Sequence, residues 1–294
     1  MSDNQDPLDI KYKRLCDILR DMQSVLVAFS GGVDSTLLLK CARDVLGDKA
    51  LAATAISATT PRHERRDARK LAAELKATHI QVQSHEMDIP EFTRNPENKC
   101  YICKRHRFGA LQQLAKENQC RYVADGANCD DLKDYRPGRK ATAELGVRSP
   151  LCEAGLKKAE IRTLSRQLGL PTWNKPSYAC LASRIAYHQT ITPAKLKQVD
   201  DGEEFLRRLK ISKQIRVRHH GDTARLEIHP DDIYNLLKQV DRRELVSYFK
   251  SLGFAYVTLD LEGYAMGSLN RTIQTTSEGN QNGQPTSKIV TAAG

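Results

Sequence analysis

Apolar residues recur at helical spacing over residues 8–23, at Leu8, Tyr12, Leu15, Leu19 and Met22, which predicts an amphipathic helix. A short continuous apolar run, 24–29, follows it and reads as a buried parallel strand. Residues 35–46 are helical in pattern and stop at Gly47. A second strand is expected at 50–57, a charged helix at 61–77 and a third strand at 79–83. Residues 100–118 read mostly as helix, 121–125 as a fourth strand, and 157–168 as a further helix ending at Gly169. Strand and helix alternate, so the fold class is α/β with a doubly wound parallel sheet.

The pattern changes after Arg184. Residues 193–209 are helical, and 214–218 and 224–228 alternate in the manner of a hairpin around His220-Gly221-Asp222. Two helices, 230–239 and 242–251, and a last strand, 254–261, complete a smaller α+β unit. The expected organisation is one domain over 1–185, a second over 186–270, and a disordered tail over 271–294. That tail is rich in Gly, Ser, Thr, Asn and Gln and poor in apolar residues.

The chain has 294 residues, enough for two cores. It has no apolar run long enough to span a bilayer, and its N-terminus is polar and acidic, unlike a signal peptide. A cytoplasmic location is therefore expected, and with it reduced cysteines, most of them small buried hydrophobes. The formal charge of +10 is dispersed, with no long basic block. It suits an anionic small substrate better than nucleic acid.

The stretch Ser30-Gly31-Gly32-Val33-Asp34-Ser35 follows an apolar strand and opens a helix. Two glycines let backbone approach an anion, the helix start aims N–H groups at it, and Ser30 and Ser35 add hydroxyls. Asp34 would repel a bare phosphate, which points to Mg2+ or a helix cap. No lysine follows in the GxxxxGK[ST] pattern. The stretch matches the SGGVDS signature of the PP-loop ATP pyrophosphatases, whose fold is adenine nucleotide alpha hydrolase-like. That resemblance implies that ATP is cleaved at its α-phosphate, leaving an adenylate and pyrophosphate. Ala28, Ser30 and Ser57 are candidates to border the adenine.

Cys100-Tyr-Ile-Cys103 is a single C-x-x-C pair, followed by Lys104-Arg105-His106-Arg107, a basic run expected to favour thiolates. The absence of a second pair argues against a four-cysteine zinc site. Cys180, beside Arg184 at the expected join between domains, is either a core cysteine or part of a site.

Taken in order, six stretches resemble the LarE family, sulfur transferases that build the nickel-pincer cofactor of lactate racemase. They are SGGVDS, the run 95–104, Asp125-Gly-Ala-Asn128 with Asp130, Asp131 and residues 134–138, the run 176–184, the run 216–222, and Asp260–Tyr264 with Gly267-Ser268. The resemblance implies an ATP-dependent, AMP- and pyrophosphate-forming enzyme acting on pyridinium-3,5-biscarboxylic acid mononucleotide. A carboxylate is adenylated, a sulfur nucleophile displaces AMP, and a thiocarboxylate results; two rounds give the dithiocarboxylate.

Two sulfur sources follow from the resemblance. One is a [4Fe-4S] cluster held by Cys100, Cys103 and Cys180, the arrangement favoured because all three cysteines are present. The other is Cys180 itself as a sacrificed donor, and a three-cysteine zinc ion competes with the cluster. Sulfide or a cysteine desulfurase would replenish the sulfur, and a homo-oligomer is implied. Asp125 and Gly126 are expected near ATP or substrate, although Asn128 and its acidic neighbours also suit a helix cap. Arg184, Arg216 and Arg218 are expected to meet the substrate phosphate, unless they form structural ion pairs; the last two share a strand face. The resemblance also suggests a metal at Glu204, and Ala265 stands where an arginine is expected. Alternatives are a tRNA thiolase, an amide-forming ligase with structural cysteines, and a nucleotide-binding regulatory module.

Overall fold

The computed structural model describes residues 6–132, 137–177 and 179–265. Residues 133–136, Tyr178, Gly267-Ser268 and the tail expected over 271–294 lie outside them. Helix α1 (Pro7–Met22) starts with Pro7 after Asp6, whose carboxylate accepts from the Leu8 N–H. Strand β1 (Val25–Ala28) leads into α2 (Val33–Leu46), closed by Gly47 at φ +57. Then come β2 (Ala50–Ile56), α3 (Arg62–Glu74), β3 (His79–Gln83), the one-turn α4 (Pro90–Thr93), α5 (Lys99–Glu117) and β4 (Tyr122–Ala124). Short helices α6 (Pro137–Glu144) and α7 (Pro150–Glu153) precede α8 (Lys158–Gln167).

The four strands form a parallel sheet in the order β3-β2-β1-β4. Alternation along the strands explains the double winding. Val25 and Val27 of β1 and Ala52 of β2 face one core with Leu15, Leu19, Leu37, Leu38, Leu71 and Ile161 from the helices. Leu26 and Ala53 point the other way, against Phe108, Leu111 and Ala115 of α5. Both faces are covered, as the near-continuous apolar strands require. The expected doubly wound α/β sheet is therefore present.

The second sheet orders α9 (Pro193–Arg208), β5 (Ile215–His220), β6 (Thr223–Ile228), α10 (Ile233–Gln239), α11 (Arg242–Ser251) and β7 (Tyr256–Leu259). β5 and β6 pair antiparallel through a tight turn in which Gly221 has φ +64; β7 returns parallel to β6. A separate apolar cluster holds this sheet against α9 and α11. It also draws in Phe92, Leu181 and Ala182, with Cys103 and Cys180 packed at its edge. Among the described residues, no helix is long and apolar enough to cross a membrane.

Candidate active site

Strand order reverses between β1 and β4, and the loops leaving both strands meet at this switch point, where open α/β sheets place ligands. Gly31 turns the chain with φ +70, and a Cβ there would lie 3.2 Å from the Ala68 Cα of α3. Ser30 and Ser35 brace the loop with hydroxyls 3.1 Å apart, and the Gly32 N–H donates to Ser30 Oγ at 3.3 Å. Gly126, after β4, presses on the start of α2: a Cβ would sit 3.0 Å from the Ser35 nitrogen. Asp125 is buried; its Oδ1 accepts from Ser149 Oγ at 2.7 Å and from the Ala127 N–H at 3.1 Å.

Asp34 accepts from the Lys158 ammonium and from Asn128 Nδ2 at 3.3 Å. Asn128 also caps its own turn, its Oδ1 accepting from the Asp130 N–H. Lys175 donates to the Gly31 carbonyl at 3.2 Å and pairs with Asp67 at 3.1 Å. A cavity of about 120 Å³ is enclosed between the loop, Lys158 and Lys175. Sequence reasoning missed both lysines. Lys158 carried a signal, because a lysine in the first turn of a helix opposes the helix dipole and needs another reason to be there.

A larger cavity of about 410 Å³ opens beside the loop. Its apolar part is made by Ala28, Phe29, Ala53, Ala55, Phe108 and Leu111, a slot suited to a purine between the sheet and α5. Toward the N-terminal end of α5 the lining becomes Arg107, Lys104 and Cys103, with Glu64, Asp125 and Arg139 opposite. Ala28 and Ser30 line this cavity, and Ser57 is not among its lining residues. Ser57 is buried and donates instead to Glu86 in a network with Thr59, Thr60 and Arg107. Burial alone would raise the Glu86 carboxyl, but the Arg107 guanidinium and hydroxyls of Ser57 and Ser84 hold it down at about 2.

The three cysteines lie within one another's electrostatic field. Cys100 and Cys103 occupy the first turns of α5, and Cys180 precedes a 3-10 turn tied to the sheet domain by the Leu181 N–H donating to the Thr59 carbonyl. The basic run after Cys103 does not favour thiolates as expected. Burial pushes Cys103 up to about 12, outweighing Arg107, and Cys180 adds to the rise. Cys100 opens to solvent on one side, yet desolvation and then the Cys180 charge raise it too. Lys104–Arg107 point in different directions around a helix, so adjacency in sequence does not concentrate their charge on one sulfur.

Three thiols from two segments suit a group that accepts thiolates, and a bound cation would offset the burial that raises Cys100 and Cys103. Lys99, 3% exposed, stands between the segments: its ammonium donates to Asn95 Oδ1 at 2.5 Å and lies 4.3 Å from the Tyr187 ring centroid. Among the described residues, no three His, Cys, Asp or Glu side chains are gathered as they would be around a metal ion. Elsewhere, Cys16 and Cys41 are buried, whereas Cys120, Cys129 and Cys152 are half-buried, so fewer of the cysteines are core residues than composition suggests.

The arginines do not stand as open phosphate contacts. Arg184 is fully buried and holds Glu203 through two hydrogen bonds of 2.7 and 3.1 Å. Its remaining amine donates to the carbonyls of Ala179 and Cys180, so Arg184 fixes the cysteine loop. Arg218 is likewise bidentate to Glu227, at 3.0 and 2.9 Å, and donates to the Ser183 carbonyl. Arg216 is buried against the Tyr264 ring and donates to the Ile215 and Ser177 carbonyls. Glu204 pairs with Arg66 at 2.7 Å.

A PP-loop domain model matches residues 5–135, and with the strand order and the glycine loop it defines the chain as an ATP-using PP-loop protein. Over 272 residues the chain is 40% identical to pyridinium-3,5-bisthiocarboxylic acid mononucleotide synthase of Lactiplantibacillus plantarum, a match covering 90% of this chain and 96% of that protein. The chain belongs to that family, the LarE family of ATP-dependent sulfur transferases. It is also 46% identical to the uncharacterised protein slr1717 of Synechocystis, over 90% of this chain and 99% of that one. The uncharacterised protein MJ0830 of Methanocaldococcus jannaschii is 28% identical over 82% of this chain and 91% of its own length.

Proposed function

We propose that the protein adenylates the carboxylates of pyridinium-3,5-biscarboxylic acid mononucleotide and converts them to thiocarboxylates for the nickel-pincer cofactor of lactate racemase. The observation that carries this reading is one cavity with a purine slot, a phosphate loop and Cys103 on its wall. Ser30, Gly31, Gly32, Asp34 and Ser35 hold the triphosphate with Mg2+, and Lys158 and Lys175 neutralise the departing pyrophosphate. Asp125 and Gly126 set the β4 loop against the nucleotide. Activation matters because a carboxylate is a poor acyl donor and its mixed anhydride with AMP is a good one.

Cys100, Cys103 and Cys180 would hold a [4Fe-4S] cluster, which supplies a site for inorganic sulfide. Without it, Cys180 is the sulfur donor, since the loop that Arg184 fixes presents it at the junction of the two cores. The units 1–185 and 186–270 divide the work: the first activates, and the second, with Arg216 and Arg218, shapes the substrate end. We place the protein in the cytoplasm as a homo-oligomer, supplied by sulfide or a cysteine desulfurase.

The test is an oxygen-free preparation given ATP and the pyridinium dicarboxylate. Replacement of oxygen by sulfur in the product, with AMP and pyrophosphate released, supports the reaction. About four irons per chain support the cluster route. Iron-free active protein whose Cys180 loses the mass of hydrogen sulfide supports the sacrificial route. Thiolation of tRNA, with none of the pyridinium nucleotide, overturns the proposal.

A further inference from the structure

The large cavity is lined by charges of both signs, Lys104, Arg107 and Arg139 together with Asp34, Glu64, Asp125 and Asp131. Arg107 is locked to Glu86, and Asp34 is met by Lys158. Lys104 and Arg139 make no ion pair among the described residues: Lys104 lies 6.0 Å from the Phe108 ring centroid, and Arg139 gives one N–H to the Asp131 carbonyl. Two cavity cations that pair with no carboxylate among the described residues are suited to receive an anionic ligand.

Their position says which anion. Helix α5 lines the cavity along its length, from Leu111 and Phe108 at the purine slot to Lys104 and Cys103 at the other end. The four-residue steps from 111 to 107 to 103 keep one helix face on the cavity and move about 6 Å toward the thiols at each step. Lys104 therefore stands at the sulfur end, past the nucleotide. The site is also built: a Cβ on Gly138 of α6 would fall 2.7 Å from Lys104 Cδ and 3.2 Å from its Cε. The missing side chain at 138 leaves the channel in which the lysine stem lies.

We infer that Lys104 and Arg139 form the anion anchor for the acid group of the substrate that is not being activated. This rests on the proposed reaction. A substrate carrying two ring carboxylates must present one to the α-phosphate while the other is taken out of bulk water, which is costly unless cations receive it. After the first round the molecule turns over, and the same two cations hold the thiocarboxylate, which is also an anion. No bond is made or broken at the anchor, so Lys104 and Arg139 act as specificity residues.

The test measures binding of pyridinium-3,5-biscarboxylic acid mononucleotide, and separately of a non-hydrolysable ATP analogue, to wild type, Lys104→Gln, Arg139→Gln and Gly138→Ala. Each glutamine variant should weaken the pyridinium ligand roughly tenfold or more and leave the ATP analogue within about twofold. Gly138→Ala, which keeps both charges but displaces the lysine stem, should weaken the pyridinium ligand in the same direction. For a pyridinium mononucleotide bearing one carboxylate, the wild-type and variant affinities should converge. Equal loss for the ATP analogue assigns the cations to the nucleotide and overturns the inference. Unchanged pyridinium binding in the glutamine variants overturns it while leaving the proposed reaction intact. Wild type that binds no pyridinium ligand overturns both.

Discussion

Replacing Glu86 by glutamine keeps the shape of a fully buried side chain and removes its charge. Glu86 accepts hydrogen bonds from Ser57, Thr59, Ser84 and two Arg107 nitrogens, the shortest guanidinium contact being 2.6 Å. Its carboxyl titrates at about 2 rather than at the ordinary 4.5. With each tenfold change in acidity worth about 1.4 kcal/mol, the charged form contributes about 3 kcal/mol to folding. An independent route gives a similar size: removing one partner of a buried ion pair costs about 3–5 kcal/mol. Glu86→Gln should therefore lower the melting temperature by about 6–12 °C at pH 7, read by calorimetry. The pH dependence gives the sharper check. A depressed carboxylate stabilises fully above about pH 4.5, and its contribution is lost as pH falls toward about 2. The gap between wild type and variant should thus be constant from pH 7 to pH 5 and shrink below 4.5, other carboxylates cancelling between the two proteins. A gap that stays constant down to pH 3, or no gap at pH 7, refutes the argument.

Three further outcomes are expected. Gly31→Ala must place a Cβ against Ala68 in a left-handed backbone conformation, so binding of an ATP analogue should fall at least tenfold while the chain stays folded by circular dichroism. Lys158→Gln leaves Asp34 without its ammonium, so the KM for ATP in pyrophosphate exchange should rise roughly tenfold. Arg184→Lys cannot reproduce the fork to Glu203 together with the bonds to the Cys180 loop; about 2 kcal/mol of stability should be lost, and alkylation of Cys180 should accelerate.

Much of the fold was legible in the sequence because its signals are local. The apolar run before Ser30, the helix stops at Gly47 and Gly169 and the alternation of 214–218 with 224–228 each report on neighbours a few residues away. The glycine loop was legible for the same reason. The short helices α4, α6 and α7 escaped, since one or two turns carry too few positions to show a period. The Ser57 bond to Glu86 was not legible, because a strand end fixes where a residue is, but not which buried carboxylate captures its hydroxyl. Glu86 lies 29 residues further on.

The arginines show most clearly where sequence reasoning stops. A count of cations is visible in a sequence, but their pairing and burial are not. Arg184 finds Glu203 on α9, a partner that no local rule selects. Arg218 finds Glu227 across the hairpin, and here the register was within reach: a two-residue turn at Gly221-Asp222 sets Arg218 opposite Arg225 and Arg216 opposite Glu227. Four charged residues on one face of two strands must sort themselves into pairs, and Glu227 takes both Arg218 and Arg225. The cations at the two cavities beside the glycine loop obey the opposite rule. Lys158 sits in the first turn of a helix, against the dipole, and Lys104 runs across a glycine. Each bears a local cost or needs a local vacancy, and such a position is explained by what it faces across the cavity. In a chain with dispersed positive charge, the cations set in locally unfavourable positions are therefore better guides to the ligand than those grouped along a strand.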